Sequence, residues 1–357
     1  MLKLFPLLVF LYICCIYVLE NVSSKPLQLA KSRQNYIGIL YLENSASFLL
    51  TINMTAFPNA RSASRLLGFI LGAATFGIAP LTLAADPFRP TEGHDIGEHT
   101  EAAFKVIFEE GNYVAADAAL TRAEIYEADE PLVHALIAAM AYFKGSAGLE
   151  EVGRRAALTQ ATAAALKETD RLRGHLYTAV GLFLEGAHML KTEGMAKGVP
   201  RALGMLPSIF DELEAAERIN AEDSELNLLK GSMDLMLAVN LPFTNPEQAI
   251  TRMAQHSHPV YATQRTIAIG YRDLDQYDNA LIAVNKALAA APSNPELFYL
   301  KAQILAGQND TDKSLVWFAK ALAKKEQLPE AIGRRIVWEN CVAEGAELTS
   351  CSELVGY

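Results

Sequence analysis

Basic side chains are in deficit: 31 Lys and Arg stand against 41 Asp and Glu, for a net charge of -10 and a pI near 5.3. That deficit excludes nucleic acid as the main partner, because phosphate binding rests on Lys and Arg neutralising a polyanion. A Gly-rich phosphate loop and a nucleophile elbow are missing, and no Ser, His and Asp set is recommended by its spacing. The chain therefore reads as a non-enzyme without a cofactor. Aromatics make up only 8% of residues, and after Ala85 no apolar run reaches the roughly 20 residues of a spanning helix. What is plentiful is small and apolar: 51% of the chain is hydrophobic, enough for a substantial core. Alanine dominates after about residue 100, as closely approaching helices require.

Two apolar runs precede that alanine-rich body. Leu2 to Leu19 suits a leader or a short membrane helix. In the second, Arg61 and Arg65 front the run "LLGFILGAATFGIAPLTLA", and small residues at 82–85 suit signal peptidase after Ala84 or Ala85. Residues 1–53 differ in composition from all that follows and read as an upstream extension or leader, with Met54 an alternative start to Met1. Residues 54–85 read as a signal peptide and 86–357 as the folded domain. Export is the expectation, to a periplasm or alternatively a thylakoid lumen or the extracellular space, with a membrane reached only through an uncleaved leader.

Cysteine is scarce as well, at four residues. Cys14 and Cys15 fall in the leader, while Cys341 and Cys351 lie together near the other end, where an oxidising compartment would let them close a disulfide.

The tetrapeptide "KALA" occurs at 286–289 and again 34 residues later at 320–323. At that offset Ala268 falls on Ala302, Tyr271 on Leu305, Ala280 on Ser314 and Ala287 on Ala321. Small residues meet small ones and bulky residues meet bulky ones, the pattern stacked helix pairs need where two helices cross closely. Pro292 and Pro329 punctuate the copies, and the spacing predicts two helices in each of 261–294 and 295–328. A weaker copy spans about 97–131, with Gly111, Tyr113, Ala116, Leu120, Ala123 and Pro131, and 328–345 reads as a helix sealing the open end.

These residues resemble the tetratricopeptide repeat family, whose 34-residue unit is a helix pair. The tryptophan common early in that unit is replaced here by Gln264 and Phe298. The stretch "ELNLLKGSMDLMLAVNLPF", with the export signal, also looks like an uncharacterised family of exported cyanobacterial tetratricopeptide proteins. The resemblance implies an all-α fold, an α-solenoid of antiparallel helix pairs, and protein or peptide binding in general. Between about 146 and 256 the helical period persists without the 34-residue register, as in degenerate repeats with an insertion around "KTEGMAKGVPRALGM".

The inner face of such a stack is lined by the first helix of each unit. Arg265, Ile269, Arg272, Tyr299 and Gln303 fall there and are the expected partner-binding groove, suited to an extended peptide or a partner's helix. Ile269 stands where a carboxylate clamp would need Asn, so carboxylate capture is not carried over. Trp317 and Trp338 read as core fillers. His94, Asp95, Glu98 and His99 supply metal-ligand residue types, three of them on one helix face, but an acidic first turn is explained by the helix dipole alone. His256 and His258 would point to different faces. No metal site is assigned. The expected function is an exported scaffold or assembly module binding a polypeptide; an anchored envelope component is the alternative, and a metal-dependent enzyme using "HDIGEH" ranks behind both.

Overall fold

The orphan amide groups at each helix start dictate much of the local structure, and short polar side chains take them up. Asn112 accepts from the Ala115 amide, Asp170 from Arg173, Asn294 from Glu296 and Asp310 from Lys313. Pro131, Pro246 and Pro295 occupy first helical positions, where the missing N–H is not needed. The computed structural model describes residues 85–240 and 245–356. The upstream extension at 1–53, and the signal segment at 54–85 apart from Ala85, lie outside the described residues.

Among the described residues every regular element is a helix, so the fold is all-α as expected. Helix α1 (Glu98–Phe108) is followed by α2 (Tyr113–Tyr126) and α3 (Pro131–Tyr142). Past a 3-10 turn at Gly145–Gly148 come α4 (Leu149–Leu166), the long α5 (Arg171–Ile219) and α6 (Ser224–Asn240). Then come α7 (Pro246–His256), α8 (Val260–Asp273), α9 (Tyr277–Ala290), α10 (Pro295–Gly307) and α11 (Thr311–Leu322). A second 3-10 turn at Lys325–Gln327 precedes α12 (Glu330–Ala343) and α13 (Leu348–Val355). None of these described helices is long and apolar enough to cross a membrane.

Consecutive helices pack as pairs in a solenoid: α1 on α2, α3 on α4, α4 on α5, α6 on α7, α8 on α9 and α10 on α11. The repeat-defining residues behave as stacking demands. Ala268, Ala280, Ala287, Ala302, Ser314 and Ala321 are wholly buried and Leu305 nearly so, while Tyr271 is half-buried and Pro292 lies exposed in the turn between α9 and α10. The 261–294 stretch holds α8 and α9, the 295–328 stretch α10 and α11, and the helix expected over 328–345 is α12. Gly270 shows how tight the crossings are: a Cβ there would sit 2.4 Å from Leu235 Cδ2 of α6. The insertion takes the form of α5, interrupted at Gly194, whose φ of 74° and ψ of 174° leave the helical region.

Cys341 of α12 and Cys351 of α13 form a disulfide with Cα atoms 5.7 Å apart. On the chain-entropy model a loop this short contributes about 3 kcal/mol or less. Cys351→Ser is therefore expected to lower the unfolding free energy by no more than that and to expose α13 to protease first, read by limited proteolysis with and without reductant.

The stack also curls back on itself. Tyr113 at the start of α2 donates its hydroxyl hydrogen to Glu296 of α10 at 2.9 Å, and Asn294 donates to the Phe108 carbonyl at 2.9 Å. Helix α2 further touches the turn at Lys325–Gln327. An irregular strap, residues 85–97, precedes α1. Phe88 and Ile96 are buried, and the Phe88 ring meets the edge of Phe104 with centroids 4.8 Å apart.

Candidate functional site

Closure changes what the first helix of each unit can do. Arg265, Ile269, Arg272 and Tyr299, expected along an open groove, are buried, and Gln303 is half-buried. The expectation of a free inner face is corrected accordingly, because Arg265, Arg272 and Gln303 are engaged within the chain. Arg265 pairs with Glu296 at 3.3 Å, and Arg272 donates to Gln303 at 2.6 Å. Gln303 in turn donates to Glu339 at 3.0 Å, and Arg335 donates to the same carboxylate at 2.8 Å. This ladder ties α8, α10 and α12 together, so these residues position the stack.

Deeper in, α1, α3, α5, α6 and α8 surround an apolar cavity of about 60 Å³ lined by Phe88, Phe104, Leu136, Tyr177 and Leu229 among others. A cavity of about 150 Å³ accommodates benzene, so this space is too small for an organic ligand of that size. It is a small void among these five helices.

Beside it lies a buried ionic set. Arg173, 1% exposed, donates to both oxygens of Glu130 at 2.8 Å and to Glu225 at 2.9 Å. Tyr177 donates to Glu225 at 2.5 Å. Arg89 of the strap adds bonds to Asp223 at 2.8 Å and an ion pair to Asp86 at 2.7 Å. Burial pushes the Glu130 carboxyl above its usual range despite Arg173. At Glu225 burial is outweighed by the charges of Arg173 and Arg89 and by hydrogen bonds, which hold that carboxyl below it. The Tyr177 hydroxyl is pushed well up by burial next to Glu225. These shifts belong to groups neutralising one another inside the helix contacts.

Asp170 caps α5 and accepts from His94 Nδ1 in the strap. Burial would raise its carboxyl, but the bond from His94, the Arg173 amide and the nearby charges outweigh it, so Asp170 sits below its usual range. A carboxyl lowered on folding contributes stability above the unfolded-state value, and that contribution is lost as pH falls toward the folded value. Asp170→Asn should therefore flatten the loss of stability on acidification below about pH 4, read by urea unfolding across pH. His99 instead lies against Tyr126, with ring centroids 4.7 Å apart, and the Glu127 carboxylate accepts from the amides of His99 and Thr100 at 2.9 and 2.7 Å. Among the described residues no group of three His, Cys, Asp or Glu is placed to hold a metal.

An open groove lies elsewhere, between the end of α9 and the face of α10 and α11. Leu288, Pro292, Phe298, Trp317 and Ala323 form its apolar walls, Lys320 and Lys324 its rim, and its volume is about 470 Å³. That falls within the roughly 300–1,000 Å³ usual for ligand clefts. The Phe298 and Trp317 rings stand 5.8 Å apart between centroids. Lys301 and Lys320 hold their ammonium groups 4.1 and 3.8 Å from the centre of the Trp317 ring. Trp317, expected in the core, is half-buried here and forms a wall. The sequence held a partial signal: Lys301 and Lys320 have no acid three or four positions away on their helices, unlike Lys105 with Glu101, a feature that Lys286 shares.

Compared with known proteins, the chain matches no protein-family model, no curated protein and no solved structure.

Proposed function

We propose that this chain is an exported helical-repeat module of the tetratricopeptide kind that binds a partner polypeptide, as a scaffold or assembly factor and not as a catalyst. The observation that carries the reading is the open apolar groove walled by Phe298 and Trp317 on the face of two regular repeats. Rigid aromatic walls flanked by helix faces suit a side chain presented by another chain. The 34-residue register supports the repeat assignment, and the Cys341–Cys351 disulfide fits an oxidising, exported location. The docking surface is thereby moved from the inner face, where Arg265 and Arg272 are buried, to the α9–α11 groove.

A photo-crosslinking residue placed at exposed Ala323 in the native compartment tests this directly. A discrete protein adduct is expected at Ala323 and none at exposed Thr121 on α2. No adduct at Ala323, or adducts of equal yield at both positions, would overturn the reading.

A further inference from the structure

We propose that the α9–α11 groove receives an acidic peptide segment bearing one bulky apolar side chain, which enters between Phe298 and Trp317 while carboxylates meet Lys301, Lys320 and Lys324. This inference rests on the polypeptide-binding reading and names the chemistry of the partner.

Charge complementarity carries it. The chain has ten more acids than bases, and several of its other lysines find carboxylate partners. Lys105 holds Glu101, Lys167 holds Glu212, Lys230 holds Glu217 and Lys313 holds Asp310. The three groove lysines do not. Lys301 donates to the Asn285 side-chain oxygen at 2.7 Å and Lys324 to the Ser293 carbonyl at 2.7 Å, while Lys320 rests on the Trp317 ring; among the described residues none has a carboxylate partner. Lys320 and Lys324 thus rim one apolar cleft without counter-charge, and Lys301 lies over its Trp317 wall, in a chain of net negative charge.

Two of these cations share one indole ring, and their repulsion is felt. Burial and then the neighbouring Lys320 hold the Lys301 ammonium below its usual pKa. A carboxylate placed between them would relieve that repulsion and keep the cation–π contacts. The acidic remainder of the surface repels the same peptide, so approach is steered to this patch. An anionic bilayer fits less well: the lysines surround a concavity with an apolar floor, and a net charge of -10 opposes a flat negative surface.

The test uses the full chain and three fluorescein-labelled nonapeptides, DEDEFEDED, NQNQFQNQN and DEDEAEDED, titrated by fluorescence polarisation at low and physiological salt. The first is expected to bind, with affinity falling as salt rises. Replacing its Phe, or neutralising its acids, should weaken binding by about tenfold or more. Lys320→Glu with Lys324→Glu should weaken the first peptide as strongly, with circular dichroism unchanged. Lys144→Glu, in the exposed turn before α4, should leave affinity within about twofold. Trp317→Phe keeps an aromatic wall and should retain measurable binding, whereas Trp317→Ala should not.

Equal binding of the uncharged peptide, or undiminished affinity in the double lysine variant, overturns the proposal. So does lysine-dependent binding to phosphatidylserine vesicles that exceeds binding to the acidic peptide. If no peptide binds while the Ala323 crosslink persists, the acidic chemistry is wrong and the module reading stands. If the crosslink fails as well, both fall.

Discussion

Replacing Arg173 by Ala is expected to destabilise the fold by about 3–5 kcal/mol, the usual loss when one partner of a buried ion pair is removed. The guanidinium is 1% exposed and gives one hydrogen bond to each Glu130 oxygen at 2.8 Å and another to Glu225 at 2.9 Å. Without it Glu130 has no cation and can only protonate, which its already raised pKa makes easy. Glu225 retains Arg89 at 3.2 Å and Tyr177 at 2.5 Å, so it suffers less. The decisive comparison is Arg173→Ala against Arg173→Met combined with Glu130→Leu. The double replacement exchanges charge for apolar volume and should recover much of the loss. The measurement is the urea midpoint at constant m-value. A single-variant loss below about 1 kcal/mol would mean the set is solvated in solution.

Phe88→Ala should lower stability comparably, by about 3–5 kcal/mol. Phe88 is wholly buried, sits edge-on to Phe104 and lines the existing 60 Å³ cavity, so truncation enlarges a void already present. Each added Å³ costs about 24 cal/mol beyond the lost transfer energy. The strap is held at few points, chiefly Phe88, Ile96, Arg89 and His94. Losing the first should therefore also speed hydrogen exchange at the amides of Phe88 and His94, both bonded to Asp86. A loss without that faster exchange would separate packing from strap release.

The repeats were legible because stacking restricts side-chain size at fixed intervals. Ala268, Ala280, Ala287, Ala302 and Ala321 can be small for one main reason, and all are wholly buried. The terminal helix and the Cys341–Cys351 pair were legible from periodicity and spacing. The fate of the inner face was not. Arg265 and Arg272 occupy the same register positions whether the superhelix is open or closed, and a charge at such a position is ordinarily expected in water. The partner that buries Arg265 is Glu296, itself held by Tyr113 from 183 residues away, a pairing with no local signature. The Arg173 set is equally dispersed over the strap, the start of α3, α5 and α6. The groove was half-legible. Its walls lie at ordinary repeat positions, and of its lysines only Lys301 and Lys320 sit on helix faces that lack acids.

The contacts from Tyr113 to Glu296 and from Phe108 to Asn294 carry a cost that open arrays of such units avoid. In a linear array each unit answers only to its neighbours, so an end can be trimmed and the remainder stands. Here the first hairpin is also the neighbour of the α10–α11 pair. Removing the first hairpin would uncover Asn294 and Glu296, so the two regions are coupled in melting, and their contacts span nearly two hundred residues, the long-range kind that slows folding.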